Sequence, residues 1–207
     1  MRKRRQVSNT LLFTCLLAVA VMVPTSARGD YFGGPHMDDS TMDFYYSPAL
    51  STARKTGLED ARKFAVAPTD VTTVVHSTYK TYRDVWAMQA APKCPPYGTA
   101  ASCDTYKATD PFYTYPTAYA VTVCLYKAGG RCDQSRVAFN TLQPHSNFAS
   151  LACHELGHVL GFDDGESNTY GPNSAESNTA NRSCMRNRPD WEYYSHDHDW
   201  VHINAKY

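Results

Sequence analysis

The stretch Cys153-His154-Glu155-Leu156-Gly157-His158-Val159-Leu160-Gly161-Phe162-Asp163-Asp164 decides how the rest of this chain is interpreted. It follows the pattern H-E-x-x-H-x-x-G-x-x-D. Residues four apart lie on one face of an α-helix, so His154 and His158 can bind the same metal ion. Glu155 is the next residue after His154, close enough to contact a water on that ion without being a ligand. The pattern therefore predicts a helix that carries a metal site.

The residues after this helix supply a candidate third ligand. Gly161 can adopt the left-handed conformation that ends a helix, and the turn would bring Asp164 toward the metal. Asp163 is adjacent and could compete, but the spacing favours Asp164. Three protein ligands with a water in the fourth position are typical of catalytic zinc rather than structural zinc. The competing interpretation is a buried helix with a capping glycine and solvated acidic residues.

The first 27 residues have the composition of a secretory signal peptide. Arg2 to Arg5 are basic, Leu11 to Val23 form an apolar run, and small residues allow cleavage after Ala27. The run is too short for a membrane span, so we expect a secreted, extracellular protein with no membrane association after signal removal. Cleavage removes four of 20 basic residues and no acidic ones, which leaves a net charge of −4. This balance gives no indication of nucleic-acid binding.

The cysteines indicate disulfide bonds. Cys15 leaves with the signal peptide, and the remaining six cysteines are an even number in an oxidising compartment. Six cysteines allow 15 pairings. Proximity in the sequence favours Cys94–Cys103 and Cys124–Cys132, which leaves Cys153 to pair with Cys184.

Beyond the signal peptide, the sequence indicates one α+β domain. Residues 28–39 are predicted to be a flexible N-terminus and residues 40–207 the domain itself. Composition and periodicity predict strands at 40–46, 82–88, 117–126 and 136–141. They predict helices at 49–67, from Ser146 or Asn147 to Leu160, and from Ser195 onward. Segment 71–79 fits either a helix or a strand. Residues 90–116 and 165–183 are predicted loops.

A family resemblance rests on the metal motif and on Ser183-Cys184-Met185 downstream of it. The pattern H-E-x-x-H-x-x-G-x-x-[HD] followed by such a Met-turn resembles the metzincin clan of zinc endopeptidases. An aspartate as third ligand resembles the snapalysin group of small secreted bacterial proteases, and the turn is similar to that of matrixins. The resemblance implies a small mixed β-sheet with a helix A, an active-site helix and a C-terminal helix after the Met-turn.

The resemblance also implies an activity and roles for particular residues. It implies one catalytic Zn²⁺, protein or peptide substrates, and a chain that acts as a monomer. The ligands would be His154, His158 and Asp164, with Glu155 as general base and Met185 as the packing floor beneath the metal. The strand at 136–141 would form the upper rim of the cleft and pair with the substrate backbone.

Four alternatives remain open from the sequence. A non-catalytic secreted zinc-binding protein would keep the same fold, although a structural site has no need of Glu155. A toxin-like or cell-wall-directed hydrolase would share the site and differ in its substrate. His196, His198 and His202 could hold a second metal, but a capped polar helix start explains them better. Ca²⁺ near residues 163–166 is conceivable, without a full calcium-loop pattern.

Overall fold

The computed structural model describes residues 35–93, 110–162, 183–185 and 199–207. Within these residues the protein is α+β, as predicted, with a mostly parallel six-stranded sheet and three α-helices. The strands are β1 (His36–Met37), β2 (Thr41–Tyr46), β3 (Thr72–His76), β4 (Val85–Ala90), β5 (Ala120–Ala128) and β6 (Arg131–Asn140). The helices are α1 (Thr52–Ala61), which continues as a π-helix at Arg62–Val66, α2 (Phe148–Leu160) and α3 (Asp199–Lys206).

The sheet has the strand order β1-β6-β4-β2-β3, and these five strands run parallel. β5 runs antiparallel to β6 and pairs with the side of β6 that faces away from β4. Parallel neighbours need a crossover connection, and α1 supplies it between β2 and β3. An antiparallel pair needs only a tight turn, which is how β5 and β6 are joined.

Alternate side chains of the central strands point into the main core. Those fully buried on this face are Met42 and Phe44 of β2, Val85 and Ala87 of β4, and Val137 and Phe139 of β6. α1 and α2 contribute Leu58, Leu156 and Leu160 to the same core. The two helices touch closely at Gly57, where an added Cβ would lie 2.6 Å from the backbone carbonyl carbon of Phe148. Glycine at this position lets the helices pack at that distance.

Both ends of α2 are held by defined hydrogen bonds. The Asn147 side chain accepts a hydrogen bond from the Ser150 N–H at 3.1 Å, which selects Asn147 from the two predicted N-caps. At the other end Gly161 has a φ of 99°, in the left-handed region. The Phe162 N–H donates to the Gly157 carbonyl at 3.0 Å and the Gly161 N–H to the His158 carbonyl at 3.1 Å. This pair of bonds is a Schellman motif, and it turns the chain sharply after α2.

The β5–β6 hairpin is closed by a glycine turn and a disulfide. Gly129 and Gly130 have φ values of 59° and 83°, as a two-residue type I′ turn requires. Cys124 and Cys132 form the predicted bond across the hairpin. The hairpin is therefore cross-linked close to its turn.

Several boundaries differ from the sequence predictions. The flexible segment predicted at 28–39 contains β1, because His36 and Met37 pair with β6 and the Met37 side chain is buried. A strand of two residues is too short to show a periodic pattern. The ambiguous segment 71–79 contains β3, which extends the sheet beyond β2. The predicted helix at 49–67 begins only at Thr52 and changes to π-helical geometry after Ala61.

Candidate active site

α2 places the two histidines of the motif next to each other. The Nε2 atoms of His154 and His158 lie 3.2 Å apart. The two rings are nearly perpendicular, at 89°, with centroids 4.7 Å apart. This is the arrangement expected from two residues one helical turn apart whose outer nitrogens converge on one point.

The other ring nitrogen of each histidine is held by a backbone carbonyl. His154 Nδ1 lies 3.0 Å from the carbonyl oxygen of Cys184, and His158 Nδ1 lies 2.9 Å from that of Phe162. A carbonyl oxygen only accepts hydrogen bonds, so both Nδ1 atoms carry the proton. The neutral tautomer then has a lone pair on Nε2, which is the form that binds a metal ion.

The distance between the two Nε2 atoms fits a shared zinc ion. Zinc binds imidazole nitrogen at about 2.0–2.1 Å in a tetrahedral arrangement, which places two ligand nitrogens roughly 3.3 Å apart. The observed 3.2 Å matches this spacing. A direct hydrogen bond between the Nε2 atoms would need a second proton on one ring and hence an imidazolium cation. The donor set therefore fits a metal ion between two neutral histidines.

The candidate third ligand lies outside the described residues. Neither Asp163 nor Asp164 is among them, so the choice between the two stays a prediction. In the part of the chain that the structure describes, no group of three or more His, Cys, Asp or Glu residues is placed to hold a metal. The described part of the predicted ligand set therefore consists of the two histidines. The turn at Gly161 ends the helix that carries them.

The Glu155 carboxylate is oriented by a residue that the motif does not contain. Glu155 is 4% exposed, and the hydroxyl of Thr122 on β5 lies 2.6 Å from its Oε2. The same hydroxyl is 3.1 Å from the backbone carbonyl oxygen of Glu155. Thr122 belongs to no sequence motif, because its contact with α2 depends on strand pairing between distant segments. The alternation of side chains along β5 could have placed it on the helix side of the sheet.

Met185 lies against the middle of α2. A Cβ added to Gly157 would overlap its Sδ and lie 3.0 Å from its Cε. The Met185 side chain therefore occupies the space that any other residue at position 157 would fill. Gly157 lies directly before His158, so this contact places the methionine against the turn of α2 that carries the proposed metal ligands. Its role as a packing floor beneath a metal stays a prediction.

A disulfide fixes the Met-turn segment to α2. Cys153 and Cys184 are bonded, as predicted, and both are fully buried. The bond joins the residue before His154 to the residue before Met185. Cys184 also provides the carbonyl that holds His154 Nδ1. One short segment thus supplies the covalent link, the histidine partner and the methionine.

Gly157→Ala should destabilise the protein, although the same change in a typical helix stabilises it by about 1 kcal/mol. The added methyl would displace Met185, and overpacking of a buried contact costs about 1–3 kcal/mol. We expect a net loss of about 1 kcal/mol in the free energy of unfolding, measured by urea denaturation. In a Met185→Ala background the same change should become stabilising. A loss of equal size in both backgrounds would contradict the contact.

The segment predicted to form the exposed rim of a cleft lies in an interior strand. Segment 136–141 belongs largely to β6, which pairs with β4 on one side and with β5 on the other. Within the described residues β5 pairs only with β6, so β5 is the edge strand. The reason is topological: after the hairpin turn the chain returns between β5 and β4 rather than outside them. The open edge beside α2 is therefore formed by β5.

The register shows which backbone groups of β5 face outward. The Asn140 N–H donates to the Tyr119 carbonyl at 2.8 Å, which makes this pair a hydrogen-bonded one. Such pairs alternate with non-hydrogen-bonded pairs in an antiparallel ladder. The non-hydrogen-bonded pairs on β5 are those of Ala120, Thr122 and Cys124. The N–H and C=O groups of these three residues therefore point away from β6. This run ends at Cys124, because the register shifts between Cys124 and Tyr126.

The predicted site residues fall into two groups. The structure brings together His154, Glu155, His158, Met185 and the Cys153–Cys184 bond. Outside the described residues lie Asp163, Asp164, His196, His198 and the predicted Cys94–Cys103 bond. His202 lies on α3, so the histidine cluster is not tested. The roles of all these residues stay predictions.

Comparison with known families finds no family model that matches the chain, and comparison with curated proteins finds no match. Among the helices that the structure describes, none is long and apolar enough to cross a membrane.

Proposed function

We propose that this protein is a secreted zinc-dependent endopeptidase with a metzincin-like fold, related in its site to the snapalysin group. One Zn²⁺ would be held by His154, His158 and Asp164, and Glu155 would be the general base. The substrates would be proteins or peptides. The signal-like segment at 1–27 supports secretion.

The observation that carries the proposal is the convergence of two histidine Nε2 atoms at a zinc-like spacing. They lie 3.2 Å apart, and each ring has its Nδ1 proton engaged by a carbonyl oxygen. Metal-binding histidines commonly donate this second ring proton to a carbonyl or carboxylate, which fixes both tautomer and orientation. Two histidines that only fill the core would not require a hydrogen bond from Nδ1 to a carbonyl oxygen on both rings.

The chemistry divides between the metal and the residues of this chain. When bound, zinc lowers the pKa of a water to about 7 and polarises a substrate carbonyl. Glu155 would accept the proton of that water and then donate it to the leaving amine. β5 would hold the substrate as an added antiparallel strand, since its outward N–H and C=O groups lie beside α2.

The alternative is a non-catalytic zinc-binding protein with the same fold. A structural zinc site is usually closed by four protein ligands and needs no nearby carboxylate base. Here a buried glutamate lies beside the first histidine and is hydrogen-bonded by Thr122. Burying a carboxylate is costly, so its placement next to the histidines favours the enzyme.

Metal dependence tests the proposal directly. The purified secreted protein should contain about one zinc per chain, and a chelator should abolish casein cleavage until zinc is restored. His158→Gln should lose both zinc and activity. His76→Gln is the matched control, because His76 lies on β3, binds Asp43 of β2 and is not part of the proposed site. Cleavage that is indifferent to the chelator would contradict the proposal.

The same zinc measurement assigns the third ligand. Asp164→Ala should lose zinc, whereas Asp163→Ala should keep it. The reverse result would move the ligand to Asp163 and leave the rest of the site unchanged.

A further inference from the structure

The hydroxyl of Thr122 links the edge strand β5 to the carboxylate of Glu155. Thr122 Oγ1 lies 2.6 Å from Glu155 Oε2 and 3.1 Å from the Glu155 carbonyl oxygen. A hydroxyl has one proton to donate, and the shorter distance assigns it to the carboxylate. From the described residues, Oε1 receives no hydrogen bond. One carboxylate oxygen is therefore held, while the other remains for a water.

The helix alone does not fix the direction of this carboxylate. Successive residues on a helix are about 100° apart, so Glu155 points to one side of the histidine face. Its side chain has three rotatable bonds, and an unrestrained glutamate samples several rotamers. A short hydrogen bond to an ionised acceptor is stronger than one between neutral groups. The Thr122 contact can therefore select one orientation.

The backbone of Thr122 faces the place where a substrate would bind. Its N–H and C=O point away from β6, at the open edge of β5. An extended peptide added to this edge would hydrogen-bond to the main chain of Thr122. The same residue would then contact the substrate through its backbone and Glu155 through its side chain.

We propose that Thr122 is a positioning residue for the general base, which sets the Glu155 carboxylate relative to a peptide bound on β5. This inference rests on the proposed endopeptidase function. The hydroxyl acts through Glu155 and not on the reacting bond, so its loss should affect turnover more than substrate binding.

Two substitutions at position 122 separate the effect of the hydroxyl on kcat from the effect of the rest of the side chain. Thr122→Val keeps the branched shape and a high strand propensity but removes the donor. Thr122→Ser keeps the donor and removes the methyl group. Thr72→Val is the matched control, because Thr72 is exposed on β3 at the opposite edge of the sheet.

Kinetics on a peptide substrate should show a selective effect. Small misplacements of a catalytic group can cost up to about 100-fold in rate, so we expect Thr122→Val to lower kcat roughly 10- to 100-fold. KM and zinc content should stay within about twofold of the wild-type values, since the β5 backbone and the histidines are unchanged. Thr122→Ser should keep kcat within about threefold, and Thr72→Val should match the wild type.

A spectroscopic measurement tests the contact without activity. In protein labelled with ¹³C at the glutamate side-chain carboxyl, the resonance of Glu155 is assigned by its loss in Glu155→Gln. Thr122→Val should shift this resonance, because the carboxylate loses a hydrogen bond. Thr122→Ser should leave it close to its wild-type position.

Three results would overturn the inference in distinguishable ways. Wild-type kcat in Thr122→Val would refute the positioning role and leave the endopeptidase proposal intact. Equal losses in Thr122→Val and Thr122→Ser would show that the hydroxyl is not the important group. A wild-type protein that cleaves no peptide would refute the proposed function and this inference together.

Discussion

Glu155→Gln is expected to lower kcat on a peptide substrate roughly 10²- to 10⁴-fold, the usual contribution of a general acid–base group. The amide has the same shape as the carboxylate and can still accept the hydrogen bond from Thr122. It cannot take a proton from water. Because Glu155 is not a proposed ligand, the variant should retain its zinc. Metal content and single-substrate kinetics measure the two effects separately.

Asp70→Asn is the control for this substitution. It makes the same change from carboxylate to amide at an exposed position distant in sequence from the motif. Its kcat and zinc content should equal those of the wild type. Undiminished kcat in Glu155→Gln would refute the assignment of the general base. Loss of zinc from that variant would instead make Glu155 a ligand.

Removal of the Cys153–Cys184 bond should have the largest effect on stability. The bond closes a span of 31 residues, and the chain-entropy relation gives a loss of about 3.5 kcal/mol in the free energy of unfolding. The Cys153→Ala/Cys184→Ala double variant should also bind zinc more weakly, because the Cys184 carbonyl holds His154 Nδ1. Urea denaturation and a competitive zinc chelator measure the two effects.

The hairpin disulfide provides the comparison. Cys124 and Cys132 are eight residues apart, so the same relation gives about 2.5 kcal/mol for their double alanine variant. This bond joins β5 to β6 and does not link another segment to α2, so its removal should leave zinc affinity unchanged. Equal zinc affinity in the two double variants would mean that the Cys153–Cys184 bond does not support the metal site.

The helix α2 was predictable because its determinants are local. His154 and His158 are one helical turn apart, and Gly161 follows at the position where a left-handed residue can end the helix. Cys124–Cys132 was predictable because a turn of two glycines lies between the cysteines. The assignment of Cys153 to Cys184 followed by elimination and is also confirmed.

Contacts between distant segments were not predictable in the same way. In the sequence, segment 136–141 is the last predicted strand before α2, but only the pairing of β6 with both β4 and β5 shows that it is an interior strand. The Thr122–Glu155 contact spans 33 positions and needs the same pairing information. Gly157 occupies a variable position of the motif, and only the fold brings the Met185 side chain into the space beside it.

The short regular edge of β5 also limits self-association. A strand edge that can bind a peptide can equally pair with the edge of another copy, and long flat edges promote aggregation. Here the register shifts on either side of Tyr126 interrupt the ladder, so the regular outward groups run only from Ala120 to Cys124. Bulges of this kind twist an edge away from a flat partner. Among the described residues, the regular part of this edge therefore fits the short peptide of the proposed function and is too short for extensive sheet-to-sheet pairing.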